Sequence, residues 1–164
     1  MYKTGLDGKD QIFYVYKAGD LLGYHALLCD EAYEDSCETL EGCELLFISA
    51  PNFERLLHKV PELKQLLIQN MSHEFGVLVN IITVLAQKPL RERLALFLLI
   101  LESRYNQGAI ELSRDDLANI VGTARESLSR LLKEFKAANL IAIKNRSIEL
   151  LDHAALLRIA SSKS

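Results

Sequence analysis

The stretch from residue 113 to residue 137 decides the fold, and it reads SRDDLANIVGTARESLSRLLKEFKA. Ser113 and Thr123 each precede an acidic residue by three positions, which is the spacing of a capped helix start. Gly122 lies between these two signals, where a residue with left-handed backbone commonly ends a helix. The stretch therefore predicts two short helices around a tight turn, which is the helix-turn-helix arrangement.

The two helices are expected at about 114–120 and 124–136 from the spacing of their apolar residues. In the second helix four apolar residues are expected to be buried, namely Leu128, Leu131, Leu132 and Phe135. This leaves polar residues facing outward at its N-terminal end, the end from which a recognition helix reads DNA bases. Arginine, glutamate and serine all hydrogen-bond to base edges. The candidate base-reading residues are Arg125, Glu126, Ser127, Ser129 and Arg130.

A β-hairpin is expected after the second helix, because apolar runs at 140–143 and 148–151 flank a short basic tip. In this position the hairpin is a wing that can reach the neighbouring DNA backbone. Phosphate contacts orient a protein on DNA without reading its sequence. The candidates for these contacts are Ser113, Thr123, Lys133, Lys136, Lys144 and Arg146. The alternative is a charged helix face beside a solvated hairpin, a pattern that many helical domains show.

The charge of the chain is divided between its two halves. Residues 1–87 hold 6 Lys and Arg against 13 Asp and Glu, whereas residues 88–164 hold 13 against 9. Residues 18–54 contain nine acidic residues and no Lys or Arg. An acidic half joined to a basic half agrees with a second half that meets a polyanion, although charge alone does not decide this.

A long helix is expected from residue 61 to about residue 87, where Lys88-Pro89 breaks it. Its seam has the 4-3-4-3-4 spacing of a coiled coil and consists of Leu67, Met71, Glu74, Leu78, Ile81 and Leu85. The alternative is a core helix packed on its own sheet. A length of about 39 Å exceeds what a small sheet covers, which favours a partner helix. A further helix is expected at 90–105, with Leu94, Phe97, Leu98 and Leu101 in a second core and Asn106-Gln107-Gly108 ending it.

The first fifty residues have the pattern of a small β-domain. Short apolar runs at 11–16, 21–23 and 43–48 predict strands, and Asp7-Gly8 predicts a hairpin turn. Fifty residues make few strands, so the expected structure is a partial β-sandwich or β-roll with an open edge.

Neither a metal nor a cofactor is expected. The three cysteines, Cys29, Cys37 and Cys43, have a spacing that matches no common zinc pattern, and we expect them to be buried and structural. The four histidines are scattered and match no haem or zinc signature. Since no catalytic triad or phosphate-binding loop is present either, an enzyme is the least favoured class.

Residues 122–130, GTARESLSR, closely resemble the winged helix-turn-helix of the catabolite activator (Crp/Fnr) family of bacterial transcription regulators. The resemblance extends upstream, because Gly19-Asp20 to Gly23 looks like the family's G-D-x-x-G turn and residues 43–49 look like the last strand of its β-roll. It covers the chain from Gly5 to about His153.

The resemblance implies an α+β protein with three parts. They are a partial β-roll, cyclic-nucleotide-binding-like sensor domain at 1–60, a dimerisation helix at 61–87 and a winged helix-turn-helix at 88–164. Arg125, Glu126 and Arg130 then match the family's base-reading Arg-Glu-x-x-x-Arg pattern. The implied partners are double-stranded DNA bearing an inverted repeat, a second copy of the chain and RNA polymerase.

The acidic segment departs from the family's ligand-binding pattern. Members that bind cyclic nucleotides hold the ribose and phosphate with a G-E pair and a later R-[ST]-A motif. This chain has Gly23-Tyr24-His25 at the first place and residues 33–36, YEDS, around the second. A phosphate would meet nine acidic residues and no cation there, so no cyclic-nucleotide binding is expected. The iron–sulfur members use an N-terminal cysteine cluster, and no cysteine precedes Cys29.

The sequence therefore favours a dimeric, sequence-specific DNA-binding transcription regulator. It contains no apolar run long enough to span a membrane and no signal peptide at its N-terminus, so we expect a cytoplasmic protein. The alternative is a truncated interaction protein that dimerises with full-length partners and sequesters them.

Overall fold

A computed structural model describes residues 1–105 and 108–162 of the chain. Over these residues the chain forms short strands and helices in an α+β arrangement, as predicted. They are β1 (Tyr2–Thr4), β2 (Asp10–Ile12), α1 (Tyr24–Cys29), α2 (Ala50–Lys59), α3 (Pro61–Gln87), α4 (Leu90–Arg104), β3 (Ile110–Glu111), α5 (Arg114–Val121), α6 (Arg125–Ala137), β4 (Ile141–Lys144), β5 (Ser147–Leu150) and α7 (His153–Ala160).

The C-terminal half forms one hydrophobic core from α4 to α7 and a three-stranded antiparallel sheet. Leu94, Leu98 and Leu101 of α4 are buried in it, and so is Phe97, which confirms the predicted apolar spine. The sheet has the order β3-β5-β4, and the β4–β5 hairpin is the predicted wing. Strand β3 and helix α7 were not predicted. The helix packs along α4, and its start is capped by Asp152, whose side chain accepts a hydrogen bond from the Ala155 amide.

The long helix α3 has the predicted bounds. Pro61 occupies its first turn, where the missing N–H is not needed, and the extended backbone of Lys88 ends it. Its 27 residues correspond to a length of about 40 Å. Helix α4 begins two residues later and ends at Arg104; the residues predicted to terminate it lie partly outside the described part of the chain.

The predicted strands of the first half are largely wrong. The Asp7-Gly8 hairpin turn is present and joins β1 to β2, but β2 ends at Ile12 and the expected strands at 21–23 and 43–48 do not form. The last of these runs is exposed, with Leu45, Leu46 and Phe47 at 71%, 92% and 87% of full exposure. An apolar run becomes a strand only beside another strand that completes its hydrogen bonds, and the described residues offer none to it.

The expectation of buried cysteines is also wrong. Cys29, Cys37 and Cys43 are all exposed free thiols. Between residues 18 and 49 only Tyr24 and Ala26 are buried, because no second layer of structure covers this acidic segment in the described residues.

The N-terminal hairpin packs against the C-terminal half. The Gln11 side-chain amide donates to the Asn119 carbonyl at 2.7 Å and to the Ile120 carbonyl at 3.3 Å, both in the last turn of α5. Ile12 and Val15 pack against the C-terminal core. Among the described residues, no helix is long and apolar enough to cross a membrane.

Candidate nucleic-acid interface

The first helix of the helix-turn-helix, α5, begins with the predicted cap. The Ser113 hydroxyl oxygen accepts a hydrogen bond from the Asp116 amide at 3.0 Å and donates its proton to the Asp116 carboxylate. This exchange satisfies one of the free amides at the helix start. The only hydroxyl proton of Ser113 is therefore engaged within the protein, and a phosphate at this residue would have to displace Asp116.

The turn between the two helices is tightly enclosed. Gly122 has the left-handed backbone predicted for it, with φ 70° and ψ 52°. A Cβ atom on Gly122 would lie 2.9 Å from Leu85 Cδ2 and 3.2 Å from Gln11 Oε1. Arg93 also contacts this turn. One of its guanidinium nitrogens donates to the Gly122 carbonyl and another to the Leu85 carbonyl. The turn is thus held by the N-terminal hairpin, the end of α3 and the start of α4.

The start of the second helix differs from the prediction. Thr123 is not its cap; the N-cap residue is Ala124, and no side chain caps the helix. The reason is the preceding turn, in which the Thr123 amide bonds to the Ala118 carbonyl and moves the helix start one residue onward. The first amides of α6 consequently remain available, and together with the helix dipole they favour an anion at this end.

The outward face of α6 carries the five candidate base-reading residues. Leu128, Leu132 and Phe135 are buried as predicted, whereas Leu131 is only partly buried and packs against the same core. Arg125, Glu126 and Arg130 are exposed, while Ser127 and Ser129 are partly buried.

Both arginines of this face have partners within the protein. A guanidinium nitrogen of Arg125 lies 3.0 Å from Asp115 Oδ2 in α5, and both side chains are more than half exposed. Arg130 donates to the Ser127 hydroxyl at 3.3 Å. The protein therefore presents both guanidinium groups at the surface in defined positions.

Basic residues flank the reading face. Lys133 and Lys136 are exposed further along α6, and Lys144 and Arg146 are exposed on either side of Asn145 at the tip of the wing. Asn145 has a φ of 57°, which closes the tight β4–β5 turn. None of these four cations forms an ion pair with any described residue, so their charges are available to DNA phosphates.

Two further residues beside this site were missed from the sequence. Arg114, the first residue of α5, has a buried nitrogen without a hydrogen-bond partner in the described residues, and burial lowers the pKa of its guanidinium. Lys9, in the N-terminal hairpin, donates to the Thr123 carbonyl at 2.8 Å. A signal for Lys9 was present, because residues 1–17 hold three lysines and two aspartates and are therefore basic, unlike the acidic segment that follows.

Helix α3 has two apolar faces, and the predicted seam is not the exposed one. Leu67 is only 1% exposed and packs with Tyr24 and Phe53, so its assignment to a dimer interface is wrong. Glu74 accepts a hydrogen bond from the Tyr24 hydroxyl at 3.1 Å. The other predicted residues are Met71, which is 40% exposed, Leu78, which is partly buried, and Ile81 and Leu85, which pack against the C-terminal core.

The exposed apolar face of α3 lies beside the predicted seam and shares Met71 with it. It consists of Ile68, Met71, Phe75, Val79 and Ile82, which are 58%, 40%, 70%, 45% and 65% exposed. Ile68, Phe75 and Ile82 repeat every seven residues, as the core positions of a coiled coil do.

Comparison with known proteins agrees with this geometry. A family model of the Crp-like helix-turn-helix domain matches residues 92–159, and a model of the cyclic nucleotide-binding domain matches residues 1–60. The fumarate and nitrate reduction regulatory protein of Vibrio cholerae serotype O1 is 32% identical over an alignment of 168 positions, which covers 97% of this chain and 66% of that protein. Its counterpart from Yersinia pestis is 30% identical over 98% of this chain and 67% of that protein. The chain belongs to the Crp/Fnr family of transcription regulators.

The Crp/Fnr fold is also evident from solved structures. The c-di-GMP responsive global regulator CLP of Xanthomonas campestris superposes with a TM-score of 0.78 at 22% identity, covering 92% of this chain and 79% of that one. The predicted fold class is thereby confirmed. The chain spans about two thirds of the length of the curated Crp/Fnr relatives that it matches.

The part that matches the cyclic nucleotide-binding domain has a tyrosine at one of its candidate ligand-binding positions. Tyr24 stands where the resemblance puts the ribose-binding glutamate, and its side chain is buried at 3% exposure among Phe53 and Leu67. Burial and the neighbouring Glu74 carboxylate raise the pKa of the Tyr24 hydroxyl well above its usual value. The hydroxyl is therefore a neutral hydrogen-bond donor that faces α3.

Proposed function

We propose that the chain is a homodimeric transcription regulator that reads an inverted-repeat operator in double-stranded DNA. The observation that carries the proposal is the exposed set of Arg125, Glu126 and Arg130 on the first turns of α6, directly after a left-handed glycine turn. Arginine recognises guanine in the major groove, and glutamate accepts a hydrogen bond from cytosine. Residues 88–164 act as the DNA-binding part, with Lys133, Lys136, Lys144 and Arg146 on phosphates.

Helix α3 is the dimerisation element in this proposal. Pairing of two exposed faces centred on Phe75 buries side chains that otherwise remain in water, and this burial supplies the driving force. A twofold dimer places its two recognition helices in successive major grooves, which requires half-sites one helical turn apart. The protein acts in the cytoplasm, where it meets the chromosome and RNA polymerase.

Cyclic nucleotides do not control this protein in our proposal. The support is the absence of any Lys or Arg between residues 18 and 54, together with the inward-facing Tyr24. An anionic phosphate in this acidic segment would be repelled. The sensor part at 1–60 responds to a different effector, or to none.

The alternative, a sequestering protein without DNA binding of its own, is less well supported. A protein that works only through its dimer helix does not need an exposed Arg-Glu-x-x-x-Arg face or a basic wing, and this chain has both. Nor do its relatives suggest an enzyme, since those named above are regulatory proteins.

The decisive experiment is selection of binding sites from a random DNA duplex pool, with light scattering on the same protein sample. We expect enrichment of an inverted repeat by a dimer. The variant Arg125→Ala should lose about 1–3 kcal/mol of binding free energy and relax the preference at one base pair of each half-site. Arg158→Ala, which removes an exposed arginine from α7, is the matched control and should leave selectivity unchanged.

Two results would contradict the proposal. If Arg125→Ala and Arg158→Ala selected the same sites with the same affinity, α6 would not be the reading helix. If the unchanged chain enriched no sequence at all, the sequestering alternative would replace the proposal.

A further inference from the structure

We propose that Lys9, in the N-terminal β1–β2 hairpin, binds a DNA phosphate beside the recognition helix. The DNA-binding surface then includes a residue from outside the helix-turn-helix and its wing. This inference rests on the proposed function, because it adds a contact to the same protein–DNA complex.

The position of Lys9 follows from one long-range hydrogen bond. Its ammonium nitrogen lies 2.8 Å from the carbonyl oxygen of Thr123, 114 residues further along the chain. Thr123 immediately precedes Ala124, the N-cap of α6. The positive charge of Lys9 is thereby held at the end of the recognition helix that enters the major groove.

The hairpin that carries Lys9 is fixed in this place by contacts of its own. The neighbouring Gln11 donates to the last carbonyls of α5, at 2.7 Å and 3.3 Å. Ile12 at the end of β2 and Val15, which follows the strand, pack against the C-terminal core. The ammonium group therefore belongs to a docked element and not to a free arm.

The charges around Lys9 leave it available to an anion. Its side chain is exposed, and it forms no ion pair with any of the described residues. The two carboxylates of the hairpin form hydrogen bonds to groups other than the Lys9 ammonium. Asp7 accepts from the Lys9 backbone amide at 3.1 Å, and Asp10 accepts from the Thr4 hydroxyl at 2.7 Å. An ammonium group has three N–H donors, and the Thr123 carbonyl takes one of them.

The dimensions of DNA place a phosphate next to this ammonium. An α-helix with its side chains is about 10–12 Å across, and the major groove is about 12 Å wide, so a recognition helix fills the groove. A group beside the first residues of that helix consequently faces the phosphates along the groove wall. Such a contact positions the protein and adds no preference for sequence.

The test is the salt dependence of DNA binding for Lys9→Gln, measured on the selected operator and on an unrelated duplex. The slope of log K against log salt is negative, and one lost phosphate contact makes it less steep by about 0.9. This change corresponds to roughly eightfold weaker binding at 0.1 M salt. We expect this loss to be the same on both duplexes, and we expect Lys9→Arg to keep the slope of the unchanged chain.

Lys17→Gln is the matched control. It removes the same charge from the same N-terminal segment, and its side chain is exposed and makes no hydrogen bond or ion pair to a described residue of the helix-turn-helix. We expect its slope to equal that of the unchanged chain. A loss of similar size in Lys17→Gln would mean that net charge, and not the position of Lys9, is responsible.

Other outcomes separate this inference from the proposed function. If the unchanged chain binds its operator and Lys9→Gln has the same slope and affinity, only the Lys9 contact is refuted. If Lys9→Gln keeps the slope but loses affinity for the operator alone, Lys9 positions the turn at Thr123 and does not touch DNA. Failure of the unchanged chain to bind any duplex would overturn the proposed function and this inference with it.

Discussion

In the proposed complex with DNA, Arg125 would have to leave Asp115 before it binds a base. The pair is an exposed one, and such ion pairs contribute about 0–1 kcal/mol, so separating them costs little. Asp115 nevertheless keeps a negative charge beside the surface that receives the DNA backbone. If Arg125 reads a base as we propose, Asp115 orients it in the free protein and lowers the affinity for DNA.

We expect Asp115→Asn to bind all duplexes more tightly, by about twofold to fivefold at low salt, because a competing partner and a repelling charge are both removed. The preference between operator and unrelated DNA should remain, since Arg125 and Glu126 are unchanged. Fluorescence anisotropy with an operator duplex and an unrelated duplex measures the two affinities. Glu54→Gln, an exposed site on α2, is the control for net charge and should have no effect. Weaker operator binding by Asp115→Asn would show instead that the ion pair helps to place Arg125.

The elements differ in how far the sequence predicts them. The helix-turn-helix was predicted well because its signals are local: the Ser113 cap, the left-handed glycine and the apolar spacing of α6 all lie within the element. The strands of the first half were not, because a run such as residues 43–48 needs a neighbouring strand that its own sequence does not specify. Helix α7 and strand β3 were missed because they are short and depend on α4 and β5 for their packing.

In helix α3, the spacing of apolar residues does not identify the face that packs against the same chain. Two sets of residues repeat every seven positions along it, one with Leu67, Glu74 and Ile81 and the other with Ile68, Phe75 and Ile82. Periodicity detects both sets but cannot tell which one faces the rest of the same chain. The packing of Leu67 against Tyr24 and Phe53, and of Ile81 against the C-terminal core, distinguishes them.

The two faces of α3 should therefore respond differently to substitution. We expect Phe75→Asp to give a monomer that keeps its helical content, because a charge would have to be buried in the dimer interface. Leu67→Ala should leave the dimer in place and lower the free energy of unfolding by about 2–5 kcal/mol, since it opens a cavity in the core. Light scattering measures the oligomeric state and urea unfolding measures the free energy of unfolding, both at matched protein concentrations. A Phe75→Asp protein that stayed dimeric would refute our choice of face.

The turn at Gly122 is one of the places where the two halves of the molecule meet. The hairpin, the last turn of α3 and Arg93 of α4 all contact it. The sequence predicted the glycine and its backbone conformation, but it could not predict which distant residues would surround it. Contacts between residues more than a hundred positions apart, such as Gln11 with Asn119, are not encoded in any local pattern.

We expect Gly122→Ala to lower the free energy of unfolding by about 1–3 kcal/mol. A left-handed backbone is strained in alanine, and the new Cβ would press on Leu85. Gly42→Ala is the control, because a Cβ at Gly42 meets nothing within 4 Å and φ there is not positive. Urea unfolding of both variants measures the difference. If the two variants were equally stable, the turn would accommodate the added Cβ atom and our prediction would be wrong.

The docking of Gln11 also has a mechanical consequence. A body joined to another at one point can rotate about three axes, whereas a body joined at two separated points can rotate only about the line between them. The C-terminal half is attached to the first half covalently at Lys88-Pro89, by the hydrogen bonds of Gln11 and Lys9, and by the ion pair of Asp20 with Arg104. With more than two attachments in place, not even that one axis is free, and the helix-turn-helix can swing about Lys88-Pro89 only when the other attachments are released together.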